Sequence, residues 1–305
     1  MTYWGTLASG GQMLLGEPEE AVLAFDRDAP ADQLKAVFPA DRIWEELREV
    51  SVYDRGEGVF RGIVDEQNTR LTAAGLFVEL VCRSREALLL DSEAEPRKMK
   101  SPSLESLRQR LLGPLGFQKI VGSGSCGPGE LDIEKGTSCW TVLAGFCRDY
   151  LDTEPYVDFE GVVCCGGIPQ RKIELSQVME AEICRLPCQR LSQVWKQGYR
   201  GGYDVAYSDP EAPAVRRRYI SAQSGKNPRA LLEESRRGSF LLQVTCAGSW
   251  WPLRGVLADV AIPQVGRFAG CPVRRGVYCR DRNGERTRFI LERGEDHVAD
   301  KEIGR

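Results

Sequence analysis

Histidine is nearly absent from this sequence: one residue, His297, in a chain of 305. Sites built on two or more imidazoles are thereby excluded, which removes the His-rich zinc, copper and non-haem iron centres. A Ser-His-Asp or Cys-His nucleophile would have to recruit that one histidine near the C-terminus. No C-x-x-C pair occurs, so the usual zinc-ribbon and thioredoxin spacings are missing as well. No apolar run approaches the roughly 18 residues of a membrane span. The opening Met1-Thr2-Tyr3-Trp4-Gly5 has neither the basic nor the apolar region of a secretory signal. An excess of positive charge is lacking too. With 41 Lys and Arg against 44 Asp and Glu, the net charge is -3, and no global field draws in nucleic acid. The expectation is a protein without metal, cofactor or catalytic centre.

What is present is ordinary for a folded protein, with 42% hydrophobic and 28% charged residues. A length of 305 residues suggests about two domains or a little more. Eleven cysteines stand out: Cys82, Cys126, Cys139, Cys147, Cys164, Cys165, Cys184, Cys188, Cys246, Cys271 and Cys279. Their odd number and the lack of a leader argue against a disulfide framework and for reduced, mostly buried thiols in a chain kept in the cytosol.

Along the chain, strand patterns dominate. Residues 44–53, 59–66 and 75–84 read as three strands of an antiparallel meander, with a polar hairpin loop over 67–74. Short helices are predicted over 84–90 and 104–112, the latter capped by Ser103 and stopped by Gly113-Pro114. Residues 91–102 read as a connection. A further helix runs over 140–150, capped by Thr137 or Ser138, and 157–165 reads as a hairpin. Strands return over 192–197, 203–207, 240–246, 256–262 and 276–280, with a helix opened by Pro228 between them. Asn283-Gly284 marks a hairpin turn. Phe60-Arg61-Gly62-Ile63-Val64 is echoed by Leu253-Arg254-Gly255-Val256-Leu257, which suggests two related β-domains.

Several motifs are weighed and set aside as chemistry. The glycine-rich stretch 122–129 lacks the phosphate-loop pattern and reads as an exposed loop. The acidic pairs Glu19-Glu20, Glu45-Glu46 and Glu233-Glu234 have no motif around them. Arg216-Arg217-Arg218, beside Tyr219, is the densest basic run. One such triplet among many acids reads as a subunit or partner contact more than a nucleic-acid site. Trp250-Trp251 reads as packing at a domain or subunit contact.

The ordered set of segments resembles the baseplate hub proteins of phage tails, including the hubs of contractile tails, prophages and tailocins. The segments are Arg61-Gly62-Ile63-Val64-Asp65-Glu66; Leu76 to Pro96; the helix from Pro102-Ser103-Leu104 to Pro114-Leu115-Gly116-Phe117; Ile133 to Leu143 with Phe146-Cys147; Tyr203 to Tyr207; Arg216 to Ile220; and Gly284 to Leu291. Lys135-Gly136-Thr137-Ser138-Cys139-Trp140 is also similar to the start of a LysM repeat, a peptidoglycan-binding module.

The resemblance implies a β-rich α+β fold in which two similar antiparallel β-barrel-like domains flank a small α+β insert. The expected parts are 1–100 and 189–305 for the hub domains and 101–188 for the insert, with the LysM-like piece near 131–150. It implies a non-enzymatic homotrimer whose six similar domains form a pseudo-sixfold ring between the tail tube and a central spike or tip protein. Tape-measure and wedge proteins are further implied partners, and the implied place is the baseplate of a virion or tail-like particle assembled in bacterial cytoplasm. Some hubs carry a fused lysozyme-type or peptidase domain, and none is expected in the fourteen residues after Leu291. Arg216, Arg217, Arg218, Trp250 and Trp251 are the candidate interface residues. The competing reading is a peptidoglycan-binding or wall-degrading tail protein.

Overall fold

The computed structural model describes residues 1–122, 129–198, 200–203, 205–221 and 227–294. His297, Cys126 and the centre of the glycine-rich stretch lie outside them. The fold is β-rich α+β, with 50% strand and 16% helix. The chain forms two compact units. The first comprises Met1–Pro169, Gly248–Arg254 and Val277–Thr287, and the second comprises the remaining segments from Gln170 onwards.

The first unit opens with seven strands: β1 (Thr2–Leu7), β2 (Gln12–Leu14), β3 (Glu20–Asp26), β4 (Gln33–Ala40), β5 (Leu47–Asp54), β6 (Glu57–Thr72) and β7 (Gly75–Ser84). They pair antiparallel in the order β3-β4-β7-β6-β5-β1-β2. Alternation sets the faces. Ala21, Leu23 and Phe25 of β3, Leu34, Ala36 and Phe38 of β4, and Val78, Leu80 and Cys82 of β7 are all buried. The expected meander is β5-β6-β7. The expected loop over 67–74 is instead mostly strand, since β6 continues to Thr72 and pairs with β7 through Thr72↔Gly75. Side chains there are solvated on both faces, so the sequence carries no hydrophobic alternation, yet the backbone ladder persists.

Residues 87–165 build a second core within this unit. Its elements are α1 (Ala87–Asp91), β8 (Arg97–Lys100), α2 (Leu104–Leu107), β9 (Ile120–Val121), β10 (Glu130–Ile133), α3 (Cys139–Phe146), β11 (Tyr156–Val157) and β12 (Val163–Cys164). The expected connection over 91–102 therefore contains a strand, β8, which pairs with β10. α2 and α3 each continue into a π-helical turn, over 108–112 and 147–151. Ser103 and Ser106 form a reciprocal cap at α2, and the Ser138 hydroxyl accepts from the Thr141 amide at α3. Leu107, Leu112, Phe117, Leu143, Phe146 and Val163 fill the core between them.

The second unit contains β13 (Arg171–Leu175), β14 (Val178–Arg185), β15 (Gln193–Lys196), β16 (Val205–Ser208), β17 (Arg217–Ile220), α4 (Pro228–Gly238), β18 (Phe240–Ala247) and β19 (Val256–Ile262). The hairpin β20 (Gly266–Asp281) and β21 (Gly284–Glu292) belongs partly to each unit. In the second unit the strands follow β14-β18-β21-β20, with β19 beside β20 and β13 beside β19. The path thus starts and ends on two strands that are consecutive in sequence and joined at Gln177, whose φ is 54°. β13 pairs with β19 in parallel, so the sheet is not wholly antiparallel.

A small separate layer, β16-β15-β17 under α4, has its own core of Val194, Ile220 and Leu232. Asn227 caps α4 through the Arg229 amide, with Pro228 following the cap. The pentapeptide echo does not mark equivalent positions. Gly62 sits inside β6, where a Cβ would overlap the Arg83 carbonyl. Gly255 precedes β19 at a φ of 74°, a left-handed turn position.

Candidate functional site

Among the described residues, no three His, Cys, Asp or Glu side chains converge as a metal site. No helix among them is long and apolar enough to cross a membrane. None of the ten described cysteines forms a disulfide, and six of them are buried. The three acidic pairs lie exposed. The candidate site is therefore a set of surfaces, and the second unit supplies the most distinctive ones.

Arg217 and Arg218 lie on β17, with Arg216 immediately before it. β17 is the outermost strand of its layer and pairs in parallel with β15 through Arg217↔Gln193, Arg218↔Val194 and Tyr219↔Trp195. Arg217 and Arg218 are exposed and Arg216 is half-buried. Local acceptors hold two of them. Arg217 Nε donates to Gln193 Oε1 at 2.9 Å, and an Arg216 guanidinium nitrogen donates to the Pro187 carbonyl at 3.1 Å.

On the Arg217 side of this layer stands an aromatic group that sequence reading did not assemble. Trp195 and Tyr219 stack with centroids 6.3 Å apart, and Tyr203 meets Tyr219 edge-on at 5.1 Å. Tyr219 is 54% exposed and Tyr203 40%. A strand was expected over 192–197 but none at β17, and the parallel register of the two is what brings Trp195 beside Tyr219.

Behind the layer, Arg190 makes a two-pronged ion pair with Asp209, at 2.7 and 3.0 Å, and reaches Glu211 at 3.1 Å. The Arg190 guanidinium holds the Asp209 carboxyl below its ordinary range. Arg236 joins the same Glu211. Asp209, Glu211 and Arg236, with Tyr207, Arg229 and Leu232, border a groove of about 570 Å³.

β14 is the other distinctive strand. It is the outermost strand beside β18, and Met179, Glu180, Ala181, Glu182, Cys184 and Arg185 are all exposed. Trp250 and Trp251 belong to the first unit, and Arg216–Arg218 to the second. Trp250 is half-buried, whereas Trp251 is 5% exposed and packs inside the chain.

The first unit carries part-buried charge of its own. Arg254 donates to the Pro30 carbonyl at 3.0 Å and to Asp32 at 3.1 Å, and its guanidinium lies 5.0 Å from the Phe25 ring centroid. Glu86, which is buried, has its carboxyl pushed up to about 7, first by burial and then by the Asp32 charge. Arg83 bridges Asp65 and Asp91 with four short contacts. These groups are internal fastenings.

The architecture is that of phage tail proteins. The chain superposes on a tail protein from Neisseria meningitidis with a TM-score of 0.75 at 20% identity, covering 96% of this chain and 97% of that one. A prophage tail protein from Shewanella oneidensis gives a TM-score of 0.75 at 15% identity, with coverages of 96% and 98%. A type VI secretion component of Escherichia coli, described as structurally similar to two tail proteins of bacteriophage T4, gives 0.58 at 10% identity, with coverages of 92% and 74%. No family model matches the sequence, and no curated protein matches it. At these identities the likeness is one of fold, running over nearly the whole chain, and it agrees with the hub-like resemblance read from the sequence.

Proposed function

We propose that this protein is the structural hub of a phage tail baseplate or of a tail-like particle, non-enzymatic and trimeric. In this reading two β-domains per copy, with the α+β insert between them, make six similar domains around an axis. The ring adapts a sixfold tail tube to a threefold spike or tip protein, with tape-measure protein in its lumen and wedge proteins at its rim in a contractile tail. The observation that carries the proposal is superposition on tail proteins over 96% of the chain. The T4-like type VI component adds support for a spike partner. The absence of paired imidazoles agrees with a protein that works by matched surfaces. Arg216, Arg217 and Arg218, with Trp250, are assigned to subunit or partner contacts, and Trp251 to packing that supports Trp250. A lumen that passes DNA would be slowed by a cationic lining, so the arginine row belongs at a contact.

Size-exclusion chromatography with light scattering tests the reading. A trimer of this 34.0 kDa chain is expected, and a chain that is monomeric at every concentration refutes it. Zymography on peptidoglycan tests the wall-degrading alternative, and clearing of the gel would favour it.

A further inference from the structure

We propose that β14 of one copy pairs edge to edge with β17 of the next copy, an extension that rests on the ring reading above. Each is an outermost strand with one unpaired side among the described residues: β14 pairs with β18 alone, and β17 with β15 alone. Unpaired strand edges are templates for another strand, and proteins that leave them open guard them with charge. Here the two guards have opposite sign. β14 carries Glu180 and Glu182 on one face, both exposed, with Arg185 only at its far end. β17 carries Arg217 and Arg218, both exposed and on opposite faces of the strand, with Arg216 just before them, so whichever face meets the carboxylates offers a guanidinium.

The sign pattern decides which pairings are allowed. Two β14 strands would bring Glu180 and Glu182 against their own copies, and two β17 strands would bring arginines together on each face. Like charges directly opposite destabilise a strand pair. The mixed pair places carboxylates against guanidinium groups, which form the stronger two-pronged bonds. A mixed pair is heterologous: each copy offers one edge forward and the other back, and such contacts generate rings when the rotation closes. Apolar surface accompanies the charge on both edges. Met179 is 61% exposed on β14, while Tyr219 is 54% and Val215 74% exposed at β17. On β14, Ala181 and Ile183 share a face with the buried Val244 and Leu242 of β18 but have no strand beyond them. Main-chain hydrogen bonds would supply affinity and the alternating side chains selectivity.

Charge reversal on the full chain tests the contact. Glu180→Lys with Glu182→Lys, or Arg217→Glu with Arg218→Glu, is expected to convert the oligomer to monomer in light scattering. All four changes together are expected to restore it. Since these side chains are exposed, circular dichroism should remain that of the parent. A second measurement uses the exposed Cys184. With Cys188→Ser and Arg217→Cys in place, mild oxidation is expected to link copies covalently, and a further Cys184→Ser change to abolish the link. An oligomer indifferent to both reversals, and not cross-linked, overturns the strand contact while leaving the ring reading intact. A wild-type chain that stays monomeric overturns both.

Discussion

Replacing Glu86 by Gln should free the first unit from a pH-dependent weakness. Glu86 is 6% exposed. Its carboxyl accepts from Ser84, faces the Asp32 carboxylate, and receives only partial relief from Arg254. Burial and the neighbouring charge raise it from 4.5 to about 7 in the folded chain. In the unfolded chain it returns to its ordinary value. Between those values the folded state holds a proton that the unfolded state has released, so this group lowers stability progressively as pH rises from about 4.5 to about 7. Above that the effect is constant. At 1.36 kcal/mol per pH unit, the whole span is worth about 3 kcal/mol. Glu86→Gln keeps the shape and cannot ionise.

Its stability relative to wild type should therefore grow by about 2–3 kcal/mol between pH 5 and pH 8. Urea unfolding at both pH values measures the difference. Hydrogen exchange of the amides of β7 and α1 assigns it to the first unit, since two units need not unfold together. Parallel pH curves for variant and wild type would show that Glu86 titrates at an ordinary value, and the burial argument would be wrong.

Three further outcomes follow from the same structure. Arg254→Met should destabilise the first unit by about 1–3 kcal/mol, because it strands the part-buried Asp32 carboxylate and the Pro30 carbonyl. Arg254→Lys should recover little, since one ammonium cannot span both acceptors and the Phe25 face; urea midpoints read both changes. Gly62→Ala should cost about 1–3 kcal/mol, because the new methyl meets the Arg83 carbonyl of the paired strand. A midpoint within error of wild type would refute that contact. Ser138→Ala should cost about 1 kcal/mol and raise amide exchange in α3, whereas Thr137→Ala should leave it unchanged, since Ser138 makes the cap.

Local signals in the sequence were sufficient for much of the fold. The meander β5-β6-β7, the capped helices, the Asn283-Gly284 turn and the α4 start could be read directly, since each depends on a period of two or 3.6 residues or on one cap or turn residue. The hub-like resemblance required order and spacing over most of the chain. Several strands were missed, among them β1 to β4, β13, β14, β17 and the outer half of β6. The outer half of β6 is solvated and shows no apolar row, and backbone pairing with β7 makes it a strand. β14 alternates Met179, Ala181 and Ile183 with Glu180 and Glu182, a period of two that was passed over in so short a segment. β8 was concealed by the prolines that flank it.

The candidate surfaces divide in the same way. Arg216, Arg217 and Arg218 were conspicuous as a run, and Trp250-Trp251 as a pair. Composition alone determined that no imidazole cluster, zinc-ribbon spacing or membrane-length apolar run exists here, because an absent residue type cannot be restored by folding. Which residues become neighbours was left to tertiary structure. The parallel register sets Trp195 beside Tyr219, desolvation raises Glu86, and sheet order leaves an acidic edge at β14 and a basic edge at β17. Each of these depends on contacts between residues far apart in the chain, and the period of a single strand or helix carries no record of its partners.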